Sequence, residues 1–149
     1  MDLTLTRRGD YAVRAALCLA REHGRRPYLK IREVAAAMDL PLSYTPQVLK
    51  LLATGGLVQA KAGRDGGYRL TRPPGEVALL EVVEAAEGPL LPQRCILRGG
   101  ACRWESACAV HPAWAAAVQA CRGSLAATTL ADLVAIERRP GPGGAAPRG

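Results

Sequence analysis

The sequence predicts a mainly α fold: a winged helix-turn-helix with a small β-hairpin wing and a long helix toward the C-terminus. Three observations predict it. Apolar residues recur at helical spacing through most of the chain. Two short helical segments are joined by a tight turn around Pro41. A glycine-rich, basic hairpin follows them at residues 57–70. Because Phe is absent and Ala is abundant, the helices are expected to pack closely.

The first helix is expected to begin after the capping residue Thr6, run to about His23 and stop at Gly24. Cys18 lies beside its apolar side and is predicted to be a small core residue. Residues spaced i, i+3, i+4, i+7 and i+8 should form its buried face, namely Ala12, Ala15, Ala16, Leu19 and Ala20.

The helix-turn-helix is predicted in the next segment. Residues 31–38 should form a short helix, residues 39–41 break it, and Ser43 should begin a third helix that ends at Gly55 and Gly56. Such a pair places its second helix in the DNA major groove. The pattern alone is weak, because any helical hairpin gives a similar one.

The hairpin strengthens that interpretation. Strands are expected at residues 57–58 and 68–70, around a glycine-rich tip flanked by Lys61 and Arg64. A basic hairpin directly after a recognition helix is typical of a wing that lies over the DNA backbone or in a minor groove. A nucleotide-binding loop is disfavoured because no Walker lysine follows the glycines.

The C-terminal half should be helical at residues 79–87, at 112–125, and after a capping-box-like start at Thr129. Trp114, Val118 and Cys121 form an apolar stripe that would pack against a second copy or within its own subunit. The chain is thereby divided into a winged-helix DNA-binding domain (1–90), a cysteine-rich loop (91–111), a dimerisation helix with a C-terminal helix (112–137) and a disordered tail (138–149).

Charge is distributed unevenly along the chain. Residues 1–75 carry 13 Lys and Arg against 6 Asp and Glu, whereas residues 76–149 carry 7 of each. The excess favours a polyanion partner, here double-stranded DNA, because neutralising phosphates releases condensed counterions. A merely solvated basic surface is the alternative.

Other classes of protein are disfavoured. The longest uncharged stretch, residues 106–121, is too short and polar to span a bilayer. Arg7, Arg8 and Arg14 interrupt any apolar run, so no signal peptide is expected. The protein is therefore expected in the cytoplasm. No nucleophile–base pair or paired carboxylates stand out, so neither catalysis nor a small-molecule substrate is expected.

Cys95, Cys102, Cys108 and His111 form the most informative cluster, with gaps of six, five and two residues. Structural zinc sites usually present ligands in close pairs. Iron–sulfur clusters take thiolates, and His can replace Cys. In a reducing cytosol a disulfide framework is disfavoured. The spacing alone leaves three interpretations open: an iron–sulfur cluster, zinc, or redox-active or buried thiols.

The ordered set of motifs resembles the winged-helix iron–sulfur regulators of the IscR and NsrR type, also called the Rrf-two family. The resemblance covers most of residues 3–135. It implies a homodimeric repressor, a recognition helix over residues 43–54, a dimerisation helix after the loop, and a cluster of two or four irons that switches operator binding. The matching residues are Leu3-Thr4, Tyr11-Ala12-Val13, Ser43-Tyr44 with Gln47, Gly56-Leu57-Val58, Gly66-Gly67-Tyr68, and the three cysteines with His111.

The resemblance also implies the cluster ligands. Cys95, Cys102 and Cys108 match three of them. The fourth is His111, as in two-iron members, or Asp10 donated from the other subunit, as in four-iron members. Pro112 complicates the choice of His111, since a residue before proline is pushed out of the helical region.

Six side chains are predicted to bind DNA. Three would meet the major groove, where Gln can pair with adenine: Ser43, Tyr44 and Gln47. Three would take phosphates, or the minor groove for the wing: Lys50, Lys61 and Arg64. Two rival functions remain open: a winged-helix regulator whose cysteines hold zinc or sense oxidation, and a small redox or cluster-carrier protein.

Overall fold

The computed structural model describes residues 4–90, 104 and 107–138. Cys95, Cys102 and most of the predicted tail therefore lie outside the described residues. The described elements confirm a mainly α, winged-helix fold. In chain order they are α1 (Arg7–Arg21), α2 (Ile31–Met38), α3 (Thr45–Thr54), β1 (Val58–Lys61), β2 (Gly67–Leu70), α4 (Leu79–Glu87), α5 (His111–Ala127) and α6 (Leu130–Glu137). Across the described stretches, none of the helices has the length and apolarity that a membrane crossing requires.

Helix α1 is the centre of the fold. Its predicted cap is confirmed, because the Thr6 hydroxyl accepts a hydrogen bond from the Gly9 amide. All five residues of the predicted apolar face are buried, and so is Cys18. At the same end, a Glu87 oxygen from α4 accepts hydrogen bonds from the Thr6 amide at 3.1 Å and hydroxyl at 2.5 Å. A carboxylate at a helix N-terminus is favourable because it faces the positive end of the helix dipole.

The last helix returns to this core. Leu130 and Val134 of α6 belong to the same buried cluster as α1. Arg21 of α1 donates two hydrogen bonds to Glu137, at 2.8 and 2.6 Å. The predicted capping box is confirmed, since Thr129 and Asp132 exchange amide-to-side-chain hydrogen bonds. Helix α6 therefore packs onto the winged-helix part of the chain.

The recognition helix begins later than expected. We predicted its start at Ser43, but α3 begins at Thr45. The carbonyl of Pro41 accepts hydrogen bonds from the amides of Tyr44 and Thr45, both at 3.0 Å, and from the Thr45 hydroxyl at 2.9 Å. These bonds hold residues 42–44 in a turn, so Ser43 precedes the helix instead of opening it.

Helix α5 begins one residue before its predicted start. His111 is its first residue although Pro112 follows, contrary to the expectation that proline would displace it from the helix. In the first turn of a helix an amide has no intrahelical carbonyl to bind, so a proline there loses no hydrogen bond. His111 therefore enters the helix together with Pro112.

The wing is a two-stranded antiparallel hairpin to which Leu29 adds a single bridge. β1 and β2 pair antiparallel, with Val58 opposite Leu70 and Lys61 opposite Gly67. Leu29, which the sequence did not identify as a strand residue, pairs with Tyr68 through two backbone hydrogen bonds of 2.9 and 2.8 Å. Gly67 has φ +145°, and a Cβ there would lie 2.3 Å from the Leu29 carbonyl oxygen. The close approach of these strands therefore requires glycine.

Candidate nucleic-acid interface

One side of α3 is free to meet a ligand. Val48, Leu49 and Leu52 are fully buried and fasten the helix to the core. Gln47 and Lys50 are exposed on the opposite side, one helical turn apart, and Thr54 continues that exposed side. The arrangement presents an amide and an ammonium group outward, which is the chemistry that reads base edges and binds phosphates.

The turn before α3 presents Ser43 outward and holds Tyr44 inward. Ser43 is exposed, whereas Tyr44 is half-buried. The Tyr44 ring meets the Tyr11 ring of α1 edge-on, with centroids 5.8 Å apart. Such aromatic pairs add stability beyond their buried area. Tyr44 therefore fastens the start of α3 to α1, a role that the sequence did not indicate.

The wing carries the other predicted cations. Lys61 and Arg64 are both exposed. The Lys61 ammonium lies 5.5 Å from the ring centroid of Tyr28, and the Arg69 guanidinium lies 4.9 Å from the same ring. These contacts are within the range of a cation–π interaction. Lys61 is thus kept at the end of β1, while Arg64 stands at the tip of the hairpin.

Lys30 contacts the wing and was missed in the sequence. Its ammonium donates hydrogen bonds to the carbonyl oxygens of Gly63, at 3.1 Å, and Arg64, at 2.7 Å. Glu33 in turn accepts from the Lys30 amide and from Arg26, both at 2.7 Å. These two hydrogen bonds hold the pKa of Glu33 below its ordinary value. A glutamate three residues after Lys30 is a local capping signal, but nothing local predicts the wing contact.

The described part of the cysteine segment is the turn that leads into α5. The Cys108 amide donates to the Trp104 carbonyl at 2.7 Å, and the His111 amide donates to the Cys108 carbonyl at 3.3 Å. Cys108 and His111 therefore lie in consecutive, hydrogen-bonded turns, and both are half-buried. Among the described residues, no three His, Cys, Asp or Glu side chains are grouped as a metal site would need.

The other candidate ligand, Asp10, lies in the first turn of α1. Its carboxylate accepts a hydrogen bond of 2.9 Å from the Arg14 guanidinium, one helical turn later. Both side chains are more than two-fifths exposed. Asp10 is therefore accessible from outside the subunit, but it already has a cationic partner.

A three-way contact holds the start of the cysteine segment. Arg122 of α5 donates to a Glu84 oxygen of α4 and, at 2.7 Å, to the Leu90 carbonyl oxygen. The Leu90 amide donates to the same Glu84 oxygen at 2.9 Å. Both backbone polar groups of Leu90 are thereby engaged. The chain enters the cysteine segment from a point at which α4 and α5 meet.

Helix α5 is attached by one side only. None of its 17 residues is buried. Trp114 and Val118, both on the predicted stripe, are half-buried, whereas Cys121 is exposed. Most of the exposed residues are small, and Gln119 is exposed among them; the small ones include Ala113, Ala116, Ala117, Ala120, Cys121 and Ser124. Small side chains allow close approach of another helix.

Known proteins share this arrangement. The chain is 32% identical over 132 residues to the HTH-type transcriptional regulator IscR of Klebsiella pneumoniae subsp. pneumoniae. The matched region covers 89% of this chain and 80% of that protein. The solved structure of T. potens IscR matches with a TM-score of 0.69 and 25% identity, over 93% of this chain and 90% of that one. CymR, the global cysteine regulator of B. subtilis, shares the fold at a TM-score of 0.75 and 24% identity, over 91% and 98% of the two chains.

These relatives are regulators of transcription, not enzymes. The profile of the Rrf2 family, described as iron-dependent transcriptional regulators, matches residues 5–136, which is most of the chain. With the helix-turn-helix, the basic wing and this match together, the chain belongs to the Rrf2 family of transcriptional regulators.

Proposed function

We propose that the chain is a homodimeric repressor whose binding to a DNA operator is controlled by an iron–sulfur cluster that responds to iron, redox state or nitric oxide. The proposal rests on one observation: the same chain contains a DNA-binding winged helix and a cysteine-rich segment. A winged helix presents cations to DNA, and a segment with three cysteines follows Leu90, whose backbone is hydrogen-bonded to Glu84 of α4 and Arg122 of α5. A change in that segment would act directly on the helices beside it.

The donor set fits such a cluster chemically. Thiolates are the usual ligands of iron–sulfur clusters, and an imidazole can replace one of them. Cys95, Cys102 and Cys108 would hold it, with a fourth ligand from His111 or Asp10. Bound there, the cluster would supply a centre that iron loss, oxidation or nitrosylation can alter. The half-buried position of Cys108 suits this role, because a reactive thiol must remain reachable.

The described geometry supports His111 as the fourth ligand over Asp10. His111 follows Cys108 within consecutive hydrogen-bonded turns, so these two candidate ligands lie in one local segment. Asp10 lies on α1, and its carboxylate accepts a hydrogen bond from Arg14. A guanidinium on the carboxylate competes with a metal for the same lone pairs. Substituting His111 with Ala should then change the cluster spectrum, and substituting Asp10 with Asn should leave it unchanged.

DNA would be read by the exposed side of α3 together with the wing. Ser43 and Gln47 would face base edges, with the exposed part of Tyr44 beside them. Lys50, Lys61 and Arg64 would take phosphates, or the minor groove for the wing. Two such units joined through α5 would read two half-sites, because the symmetry of a dimer is mirrored in its operator.

The experiment is an anaerobic absorption spectrum of the purified protein, with iron and sulfide quantified on the same sample. We expect visible cluster bands in the native protein, loss of those bands in Cys102→Ala, and retention in Cys121→Ala. Cys121 is the matched control because it is an exposed thiol on α5, outside the candidate ligand set. Operator affinity should then differ between the loaded and the cluster-free protein.

A colourless protein that stays colourless after reconstitution would overturn the cluster and favour the alternative, in which the cysteines hold zinc or sense oxidation. Cys108 is a free thiol and only half-buried, so it remains available to an oxidant. Stoichiometric zinc in the purified protein would identify a zinc site. DNA affinity that changes on adding a thiol oxidant would identify control by cysteine oxidation. A role as redox or cluster carrier is not proposed, since the family is one of transcriptional regulators.

A further inference from the structure

We propose that Lys30 is a positioning residue that sets the geometry of the wing tip for DNA binding. The inference rests on the part of the proposed function in which the wing contacts DNA, and it does not depend on the cluster. It concerns the clamp formed when the Lys30 ammonium binds the carbonyl oxygens of Gly63 and Arg64.

The tip needs such support because it projects beyond the strand ladder. The last paired residues are Lys61 and Gly67. Between them, Gly63 adopts φ +94°, and one backbone hydrogen bond of 3.2 Å joins the Gly66 amide to the Gly63 carbonyl. Within the part of the chain that the structure describes, Lys30 is the one side chain from outside the hairpin that hydrogen-bonds to this tip.

The other end of the clamp is held firmly. The Lys30 amide donates to Glu33, and the neighbouring residue Leu29 pairs with Tyr68 of β2 by two backbone hydrogen bonds. Lys30 directly precedes α2, the first helix of the helix-turn-helix. The ammonium therefore ties the wing tip to the element that carries α3, and this tie determines where Arg64 stands relative to the recognition helix.

A competing explanation is that Lys30 is an exposed cation that binds phosphate directly. The two roles predict different coupling to Arg64. A residue that acts by placing the tip loses its effect once Arg64 is removed. An independent phosphate contact keeps its full effect, because separate contacts add.

The test is a double-mutant cycle on a duplex that the wild-type protein selects from a random library. The variants are Lys30→Met, Arg64→Ala and the double variant, with Lys50→Met as the matched control on α3. Lys30→Met should weaken binding about 10-fold alone and less than about 2-fold in the Arg64→Ala background. Lys50→Met should weaken binding equally in both backgrounds. Lys30→Arg, which restores a donor of similar reach, should recover most of the affinity.

Hydroxyl-radical footprinting should show that Lys30→Met loses protection where the wing lies and keeps protection at the α3 site. Effects of Lys30→Met and Arg64→Ala that multiply, with an unchanged footprint, would overturn the positioning role. Absence of DNA binding by the wild-type protein would count against the proposed function instead. In that case amide hydrogen exchange still tests whether Lys30 holds the wing tip. The Gly66 amide should exchange faster in Lys30→Met than in Lys50→Met, and equal rates would refute the contact of Lys30 with the tip.

Discussion

At the scale of single residues, the wing depends on a glycine whose missing side chain leaves space for a neighbouring strand. Gly67→Ala should destabilise the protein more than Gly63→Ala. Both residues have positive φ and both variants pay backbone strain, of about 1–3 kcal/mol. Only at position 67 would the new Cβ meet a backbone carbonyl, that of Leu29, whereas position 63 opens into free space. Urea unfolding of both variants measures the difference, and equal losses would contradict the assigned contact.

The contribution of Glu33 to the free energy of unfolding should depend on pH. The pKa of Glu33 is lowered by the hydrogen bond from the Lys30 amide and by Arg26, so its carboxylate stabilises the folded state. That contribution is complete above the pKa of an unfolded glutamate, about 4.3, and is lost as the pH falls through the lower folded pKa. Because the side chain is partly exposed, we expect only about 0.5–1 kcal/mol.

The measurement is the free energy of unfolding of the wild type and Glu33→Gln between pH 3 and pH 7. The two proteins should differ at neutral pH and converge in acid. Asp10→Asn is a suitable control, because Asp10 forms an exposed i,i+4 ion pair with the side chain of Arg14. A difference that grows on acidification would have the wrong sign for a carboxyl whose folded pKa is lowered.

At the scale of elements, α5 is the helix whose packing is incomplete within the described residues. Its exposed side of small residues should form the subunit contact, so the protein should have the mass of a dimer in solution. Ala120→Arg places a long charged side chain on that side and should give monomers. Ala37→Arg, on the exposed side of α2, should leave the dimer intact. Light scattering after size exclusion measures both, and a monomeric wild type would exclude this contact.

The sequence predicted most elements because their ends carry local signals. α2 and α4 have the predicted limits, since glycine and turn residues follow their apolar faces. The predicted start of α3 was two residues too early, because hydrogen bonds to the Pro41 carbonyl hold a turn before the helix. The sequence has no capping residue that indicates this turn. Leu29 was missed as a strand residue, since a single bridge leaves no alternating pattern to recognise.

At the scale of the whole molecule, the excess positive charge lies in residues 1–75, which contain the helix-turn-helix and the wing. Affinity for DNA should therefore fall steeply with salt, and Lys50→Ala should lower the magnitude of the slope of log K against log salt concentration by about 0.9, the share of one phosphate. Arg138→Ala, at the end of α6, should leave the slope unchanged. Binding measured from 50 to 300 mM salt tests both. A flat response would contradict a phosphate-dominated interface.

The candidate site was predictable where its residues are close in sequence. Gln47, Lys50 and Arg64 follow from the helix and hairpin patterns, and the structure leaves them exposed. Contacts between distant residues left no local signal: Lys30 meets the wing 33 and 34 positions away, and Arg122 meets Glu84 38 positions away. Such pairs arise only when the chain folds. The ligand roles of Cys95 and Cys102, which lie outside the described residues, stay predictions.

The buried thiol of Cys18 can report how often the core of the protein opens. Cys18 is a buried residue of α1, and burial raises the pKa of its thiol, so the reactive thiolate is scarce in the native protein. An alkylating reagent can reach it only when the core opens, and the labelling rate at this one sulfur then reports how often that happens. This thiol therefore reports the opening of the core in any variant that keeps it.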